Sequence, residues 1–108
     1  MGVKSERRLK LERSLAEDPT DTFLRYGLAL QCLREDDTEE GRARLHALIE
    51  DHPGDQVAAH QQLGQSYLES GERDKGVTIL QKGILLAKGL GDWHSAGEMQ
   101  QLLDSMAS

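Results

Sequence analysis

Hydrophobic residues recur at spacings of three and four along almost the whole chain, and the strict alternation of a half-buried strand is absent. This period predicts amphipathic helices, each with one apolar face. In the first segment, for example, Leu9, Leu11 and Leu15 lie among charged residues. The predicted helices span residues 5–17, 22–34, 39–51, 56–69, 73–88 and 93–106.

The segments between these helices carry residues that end one helix and begin the next. Asp21 follows a proline and can cap the second helix, and residues 52–55 repeat this order of a proline followed by an aspartate. Asp37 and Glu40 have the spacing of a capping box. Gly71 suits a helix C-terminus, where glycine tolerates the left-handed conformation, and residues 89–92 carry the same signal before the last helix. Connections this short predict antiparallel neighbouring helices.

The chain contains an internal repeat, because residues 22–53 overlay on residues 57–88. A period of about 35 residues with two helices per unit indicates a solenoid. Antiparallel helices approach closely where one presents a small side chain, and the leucines of the repeat then fill the layer between them. The positions that match at an offset of 35 are Leu28 and Leu63, Ala29 and Gly64, Cys32 and Tyr67, Gly41 and Gly76, and Leu45 and Leu80.

The second unit resembles a tetratricopeptide repeat, whose pattern places Trp, Leu, Gly, Tyr, Ala, Phe and Pro at fixed offsets over about 34 residues. Leu63, Gly64 and Tyr67 match three of these positions. The other four places hold His60, Gly76, Leu80 and Lys88. The first unit diverges further and carries Arg25, Leu28, Ala29, Cys32, Gly41, Leu45 and Pro53 at these places.

The resemblance implies an all-α fold, a right-handed α-solenoid of antiparallel helix pairs with about two repeats and flanking helices at each end. Leu11 and Pro19 resemble the Phe and Pro places of a preceding half repeat. The last helix fits the polar-sided cap that ends such arrays. One domain is expected over residues 1–108, with an N-terminal helix at 5–19, repeats at 22–53 and 57–88, and a capping helix at 92–106.

Charge is unevenly spread along the 108 residues, whose formal net charge is −6. Residues 1–13 carry five basic and two acidic groups, whereas residues 14–60 carry four basic and eleven acidic groups. An acidic body argues against a nucleic-acid partner, which requires a positive surface. The basic head, Lys4, Arg7, Arg8, Lys10 and Arg13, is either the solvated face of a helix or a contact for an acidic partner.

The candidate chemistry of the chain is sparse, and we expect no enzyme, no metal and no cofactor. Cys32 occupies a place where the family has a packing aromatic residue, which predicts a small buried thiol; a redox role would need exposure and a basic neighbour. None of the four histidines has the spacing of a zinc site, although His52 and His60 flank one turn. His60 is expected to fill the Trp place of the pattern.

In tetratricopeptide proteins the first helix of each unit lines a concave groove that binds a peptide or helix of another protein. The resemblance therefore implies a protein-binding adaptor, with an apolar half and an amide half to its groove. The groove positions carried over are Phe23, Tyr26, Leu30, Leu33 and Arg34 in the first unit, and Ala58, Gln61, Gln65, Leu68 and Glu69 in the second. Alternatively, the N-terminal helix or a second copy of the chain covers Phe23 and Leu30.

Self-association is the second hypothesis, because a short solenoid exposes apolar ends. No run of apolar residues approaches the roughly 20 needed to span a bilayer, so no membrane contact is expected. A single cysteine allows no internal disulfide, and a reducing cytoplasm is the expected location. The candidate contacts for a homo-oligomer are Leu9, Leu11 and Leu15 at one end, and Met99, Leu103 and Met106 at the other.

Overall fold

The computed structural model describes residues 3–106, and this part of the chain contains six helices and no strand. Each helix agrees with its predicted segment to within one residue at either end. The all-α prediction is therefore confirmed. The helices are α1 (Glu6–Glu17), α2 (Thr22–Arg34), α3 (Thr38–Asp51), α4 (Val57–Glu69), α5 (Arg73–Gly89) and α6 (Trp93–Ser105).

The helix starts are capped as the sequence predicts at some positions and differently at others. The Asp21 side chain accepts a hydrogen bond from Leu24 N at 2.9 Å, which confirms Asp21 as the cap of α2. The capping box before α3 is only half formed: Asp37 Oδ1 accepts from Glu40 N at 3.5 Å, while the Glu40 side chain pairs with arginines instead.

The expectation of an aspartate cap before α4 is wrong. Gln56 occupies the cap position there, and its side chain makes no capping hydrogen bond. Instead, Gln56 Nε2 donates to Asp55 Oδ1 at 2.9 Å, and the Gln56 carbonyl accepts from His60 N at 3.2 Å within the first turn. The Asp55 carboxylate is thus occupied by the side chain that follows it.

Among residues 3–106, three turns contain a residue in the left-handed conformation. Gly71 and Gly91 have φ values of +80° and +75°, as the helix-end signals predict. Asp36 has a φ of 61° and lies 35 residues before Gly71, at the matching place of the repeat. Aspartate tolerates this conformation better than most residues do, since its short polar side chain can bond locally. The repeat therefore preserves the turn geometry although the residue type changes.

The chain divides into two compact units, Met1–Leu48 and Ile49–Ser108. One domain over residues 1–108 stays a prediction. In the first unit, α1 packs on α2, and α2 packs on the part of α3 that belongs to this unit. Its fully buried apolar side chains are Leu28, Ala29, Cys32, Leu45 and Leu48.

In the second unit, α5 packs between α4 and α6. Leu80 lies beside Gly64, and Leu68 lies beside Gly76, so α4 and α5 run antiparallel. The buried apolar residues shared by the three helices include those predicted from the repeat. They are Val57, Ala59, Leu63, Tyr67, Leu80, Ile84, Ala87, Ala96 and Met99.

Glycines mark the closest approaches between helices in both units. A Cβ atom placed on Gly76 would lie 3.0 Å from the Gly64 carbonyl oxygen and 2.9 Å from Leu68 Cγ. One placed on Gly41 would lie 3.1 Å from the Ala29 carbonyl oxygen. Real Cβ atoms rarely approach other atoms so closely, and the small residues predicted from the repeat are therefore confirmed at these positions.

Candidate interaction surface

The predicted groove residues of the first unit lie along α2 with graded exposure. Phe23, in the first turn of the helix, is 82% exposed. Tyr26 and Leu30 follow at spacings of three and four and are half-buried, and Arg34 at the end of the helix is exposed. These residues form a stripe that begins with a large, solvated aromatic ring.

Leu33 has a different position from the other residues of this set. Its Cδ2 atom lies 2.7 Å from where a Cβ on Gly41 would be, so its side chain covers that glycine. Leu68 covers Gly76 in the same manner in the second unit, 35 residues later. Both leucines therefore stabilise a helix pair. Only the exposed part of each side chain is left for contacts outside the unit.

The other predicted residues of the second unit lie on α4. Gln61 and Gln65 are half-buried and one helical turn apart, while Ala58 and Glu69 are exposed. Two primary amides at this spacing can donate to and accept from an extended peptide backbone. Since the α2 and α4 sets belong to different units, a single groove formed by both stays a prediction.

The first unit also contains an ion cluster around a buried arginine, Arg8, which belongs to the basic head of the sequence. Arg8 is only 3% exposed. Its Nη2 atom donates to Asp37 Oδ2 at 2.9 Å and lies 3.1 Å from Glu40 Oε1, and its Nη1 lies 3.7 Å from Glu35 Oε1. A planar guanidinium suits such multiple carboxylate contacts. Arg8 therefore ties α1 to the turn between α2 and α3.

The hydrogen bonds in this cluster lower the pKa values of its carboxyl groups. The bond from Arg8 lowers the pKa of Asp37, and bonds from Ser5 and then Gln31 lower the pKa of Glu35. The pKa of Glu40 is lowered chiefly by Arg44, whose Nε atom donates to Glu40 Oε2 at 2.8 Å. These groups are ionised at neutral pH, and their charges are satisfied inside the unit.

Cys32 is fully buried in the first unit, as predicted for a small packing thiol. Burial raises the pKa of its thiol to about 11, and the neighbouring Glu40 carboxylate, 3.5 Å from the sulfur, adds to this effect. A thiol with these properties is a poor nucleophile at neutral pH.

His60 is buried at the tetratricopeptide Trp place, which confirms the expected packing position. Its Nδ1 atom lies 2.7 Å from the Gln56 carbonyl oxygen, and its Cβ lies against Gly83 of α5. Among residues 3–106 no group of three or more His, Cys, Asp or Glu side chains could hold a metal ion.

A surface cleft runs along α1 on the side that does not carry Arg8. Exposed charged residues border it, with the half-buried Leu11 and Ser14 among them. Leu11 also packs towards α2, since its Cδ2 lies 3.8 Å from where a Cβ on Gly27 would be. The lining residues are Glu6, Arg7, Lys10, Leu11, Arg13 and Ser14.

Exposed apolar side chains of the second unit concentrate around the turn between α5 and α6. Leu85 is 72% exposed, Leu90 55% and Trp93 66%. Leu85 could have been recognised from the sequence, because it falls outside the inward stripe that contains Leu80 and Ile84. Trp93 stands three residues before the buried Ala96 and six before the buried Met99, yet its own side chain is exposed.

The predicted self-association residues are only partly available. Met99 is fully buried against Gly83, so its assignment as a contact for a second copy is wrong. Leu103 and Met106 are half-buried, and Leu9 is 39% exposed.

None of the helices between residues 3 and 106 combines the length and the apolar character that crossing a bilayer requires.

Two solved structures share this architecture. A tetratricopeptide repeat domain protein from Salinibacter ruber, determined by solution NMR, is 28% identical in sequence with a TM-score of 0.73. The match covers 78% of this chain and 84% of that chain. The solution structure of a protein from Bordetella parapertussis is 22% identical with a TM-score of 0.83, over 95% of this chain and 89% of that chain.

No protein-family model matches the chain, and no curated protein matches it either. The structural similarity confirms the resemblance found in Leu63, Gly64 and Tyr67: the chain has an all-helical, tetratricopeptide-like fold.

Proposed function

We propose that this protein is a non-catalytic interaction module that binds a peptide or helix of a partner protein through the first-helix residues of its repeats. The observation that carries the proposal is the exposure of Phe23, which is 82% accessible at the start of the α2 stripe. Binding would bury this ring, and full burial of a phenylalanine side chain is worth about 1.5–3 kcal/mol. Aromatic anchors of this kind frequently dominate protein interfaces.

The residues around Phe23 support an apolar contact. Tyr26 and Leu30 continue the stripe at helical spacing and are half-buried, so they combine fixed positions with some remaining accessible surface. A tyrosine presents an apolar ring and a polar tip, which suits the edge of such a contact. An apolar side chain of the partner would lie on this stripe.

The α4 residues support a polar contact with the partner backbone. Gln61 and Gln65 would exchange hydrogen bonds with peptide groups, and Arg34 and Glu69 at the helix ends would set the charge preference. The Salinibacter ruber structure shares the tetratricopeptide architecture, which is used generally for protein–protein contacts. The proposed partner is another protein; neither nucleic acid nor a membrane is part of the proposal.

The test is partner recovery with purified, folded variants. Cross-linking followed by mass spectrometry should identify a defined partner of the unaltered protein, and Tyr26→Ala combined with Gln65→Ala should lose it. Phe23→Ala should weaken the same binding by about tenfold or more. Leu85→Ala removes a similarly exposed apolar side chain from another surface and is the matched control.

Partner recovery that is unchanged in Phe23→Ala and in the double variant would contradict the assignment of the binding site to α2 and α4. Recovery that is lost equally in Leu85→Ala would move the site to the turn between α5 and α6. Circular dichroism of each variant establishes that any loss of binding is not a loss of folding.

Self-association is a second candidate function, favoured by the exposure of Leu85 and Trp93 in one unit. A homo-oligomer would cover these side chains and remove apolar surface from water. Light scattering at micromolar concentration decides the question. A uniform 12.0 kDa species rules out the oligomer at that concentration.

A catalytic role is not proposed. The single thiol is fully buried and its raised pKa keeps it protonated at neutral pH, and Arg8 is held by carboxylates of the protein itself. A cytoplasmic location is part of the same proposal, and fractionation of cells expressing the tagged protein tests it.

A further inference from the structure

Independently of the α2 and α4 residues of the proposed function, we propose that the basic cleft along α1 is a second docking surface. It binds an acidic segment of a partner protein. Of the described residues that border the cleft, three are cations, Arg7, Lys10 and Arg13, and one is acidic, Glu6. This surface differs from the one formed by Phe23 and the α2 stripe, so the two proposals can fail separately.

The three cations are available for a partner. Arg7, Lys10 and Arg13 are exposed, and within residues 3–106 their side chains take part in no hydrogen bond, ion pair or cation–π contact. Arg8, in the same helix, is buried among four carboxylates. The helix therefore separates its basic residues into one that stabilises the fold and three that remain unpaired on one side.

The spacing of the lining residues matches a helix face. Arg7, Leu11 and Ser14 form one row at spacings of four and three, and Glu6, Lys10 and Arg13 form the adjacent row. Arg7 and Arg13 are six residues apart, which separates them by about 9 Å along the helix axis. An acidic peptide could place several carboxylates over this length, with one small apolar side chain against Leu11 and a hydrogen bond to Ser14.

Charge complementarity favours a peptide over the larger polyanions. The chain as a whole carries a formal charge of −6, and residues immediately after α1 are rich in carboxylates. Nucleic acid or an anionic membrane would extend beyond the cleft and meet this acidic surface, which repels it. A short acidic segment fits within the basic area, and unlike charges there also accelerate association.

Binding can be measured by fluorescence anisotropy with a labelled peptide of the sequence Glu-Asp-Leu-Glu-Glu-Leu-Asp-Glu. The comparison peptide carries Gln and Asn in place of Glu and Asp. We expect the unaltered protein to bind the acidic peptide at least about tenfold more tightly than the amide peptide. Raising the salt concentration from about 50 to about 300 mM should weaken the acidic complex, since the contacts are exposed.

The variant that tests the cleft is Arg7→Glu, Lys10→Glu and Arg13→Glu combined. We expect it to weaken binding of the acidic peptide by about tenfold or more. The matched control reverses three exposed cations of the second unit, Arg73→Glu, Lys82→Glu and Lys88→Glu, with the same change in net charge. This control should change affinity far less, by about twofold, because only long-range, screened charge is altered.

Chemical-shift mapping with the same peptide locates the contact: the perturbed backbone amides should centre on α1. Equal binding by the cleft variant and the unaltered protein would overturn the proposal, and so would equal loss in both triple variants. Tighter binding to phosphatidylserine vesicles or to poly(U), lost in the cleft variant, would assign the cleft to a membrane or to RNA instead. A dimer that the cleft variant dissociates would assign it to a second copy of this chain.

The outcomes also separate this proposal from the proposed function. If the Tyr26→Ala and Gln65→Ala variant loses acidic-peptide binding and the cleft variant keeps it, the peptide lies on the α2 and α4 residues. Loss in the cleft variant alone supports a second surface whatever the fate of the first. Circular dichroism spectra should be the same for the cleft variant and the unaltered protein, since the altered α1 residues are exposed.

Discussion

Arg8 Nη2 donates a hydrogen bond to Asp37 Oδ2 at 2.9 Å, across 29 positions of the chain. The bond connects the first turn of α1 to the residue immediately before α3. Asp37 also accepts from the Glu40 amide, so one carboxylate serves both the start of a helix and the attachment of another. Loss of this arginine should therefore affect the attachment of α1 more than the helices of the second unit.

Replacing this arginine by methionine, Arg8→Met, keeps a long apolar side chain but removes the cation. The carboxylates of Glu35, Asp37 and Glu40 then lose a shared partner and repel one another. We expect the melting temperature to fall by about 4–8 °C, measured by circular dichroism at neutral pH.

The matched control for this change is Arg7→Met, the adjacent and exposed position. It should change the melting temperature by less than about 2 °C, since surface substitutions away from specific contacts have small effects. Equal melting temperatures for Arg8→Met and Arg7→Met would show that the Arg8 cluster contributes nothing to stability.

The stability of the protein should decrease at acidic pH in a window set by the same cluster. The pKa values of Asp37 and Glu40 lie below their ordinary values of 3.8 and 4.5 in the folded state. The unfolded chain therefore binds more protons as the pH falls, and stability decreases with it. Chemical denaturation should give constant stability above about pH 5.5 and a decline below about pH 4.5.

The Arg8→Met variant provides the control for this pH dependence. Its pKa at Asp37 should return towards the ordinary value, because the largest cause of the shift is the bond from Arg8. The decline below about pH 4.5 should be shallower than in the unaltered protein. An unchanged slope would mean that other carboxylates cause the acid sensitivity.

Enlarging Gly76 should destabilise the second unit. A Cβ at this position already lies 3.0 Å from the Gly64 carbonyl oxygen, a backbone atom that cannot move away easily. We expect Gly76→Leu to lower the free energy of unfolding by about 1–3 kcal/mol or more, because it overpacks the contact between α4 and α5. Urea denaturation followed by circular dichroism measures the change.

Glycine itself disfavours helices, so a control must separate propensity from packing. Gly97 lies within α6 and has nothing within 4 Å of an added Cβ. Gly97→Ala should stabilise the protein by about 0.5–1 kcal/mol through helix propensity, whereas Gly76→Ala should destabilise it. The same sign for both alanine variants would contradict the close approach at Gly76.

The Cys32 thiol should react slowly in the folded protein. Its pKa of about 11, against an ordinary 9.0, reduces the thiolate fraction at pH 8 by about a hundredfold, and full burial blocks access as well. Labelling with a colorimetric disulfide reagent should be at least this much slower in the native state than in urea. Rapid native labelling would show that the first unit opens frequently.

The helix positions could be predicted closely because the apolar period and the capping residues agree. Asp21 both follows a proline and caps α2, so two local signals fix one boundary. Before α4, where the side chain of Asp55 is taken by Gln56, the aspartate signal was misleading, although the helix began within one residue of its predicted start. The apolar periodicity alone therefore predicted the start of α4, without a correct capping residue.

The residues exposed on the interaction surface could be predicted less well from the sequence. Arg7 and Arg8 are both basic residues of one helix, and only the fold reveals that Arg8 meets carboxylates from a turn about 30 positions away. Phe23 and Trp93 are each apolar, and exposure separates them from the buried Leu28 only once the helices are paired. Local sequence specifies which residues share a helix face, and the packing determines which face is covered.

The contact between Leu68 and Gly76 joins residues only eight positions apart, as does that between Leu33 and Gly41. Contacts so close in the chain cost little loop entropy to close, and chains rich in them fold within microseconds to milliseconds. The bond from Arg8 to Asp37 spans a much longer stretch and should form after the helix hairpins. Altering Gly76 should therefore slow refolding, whereas altering Arg8 should mainly accelerate unfolding.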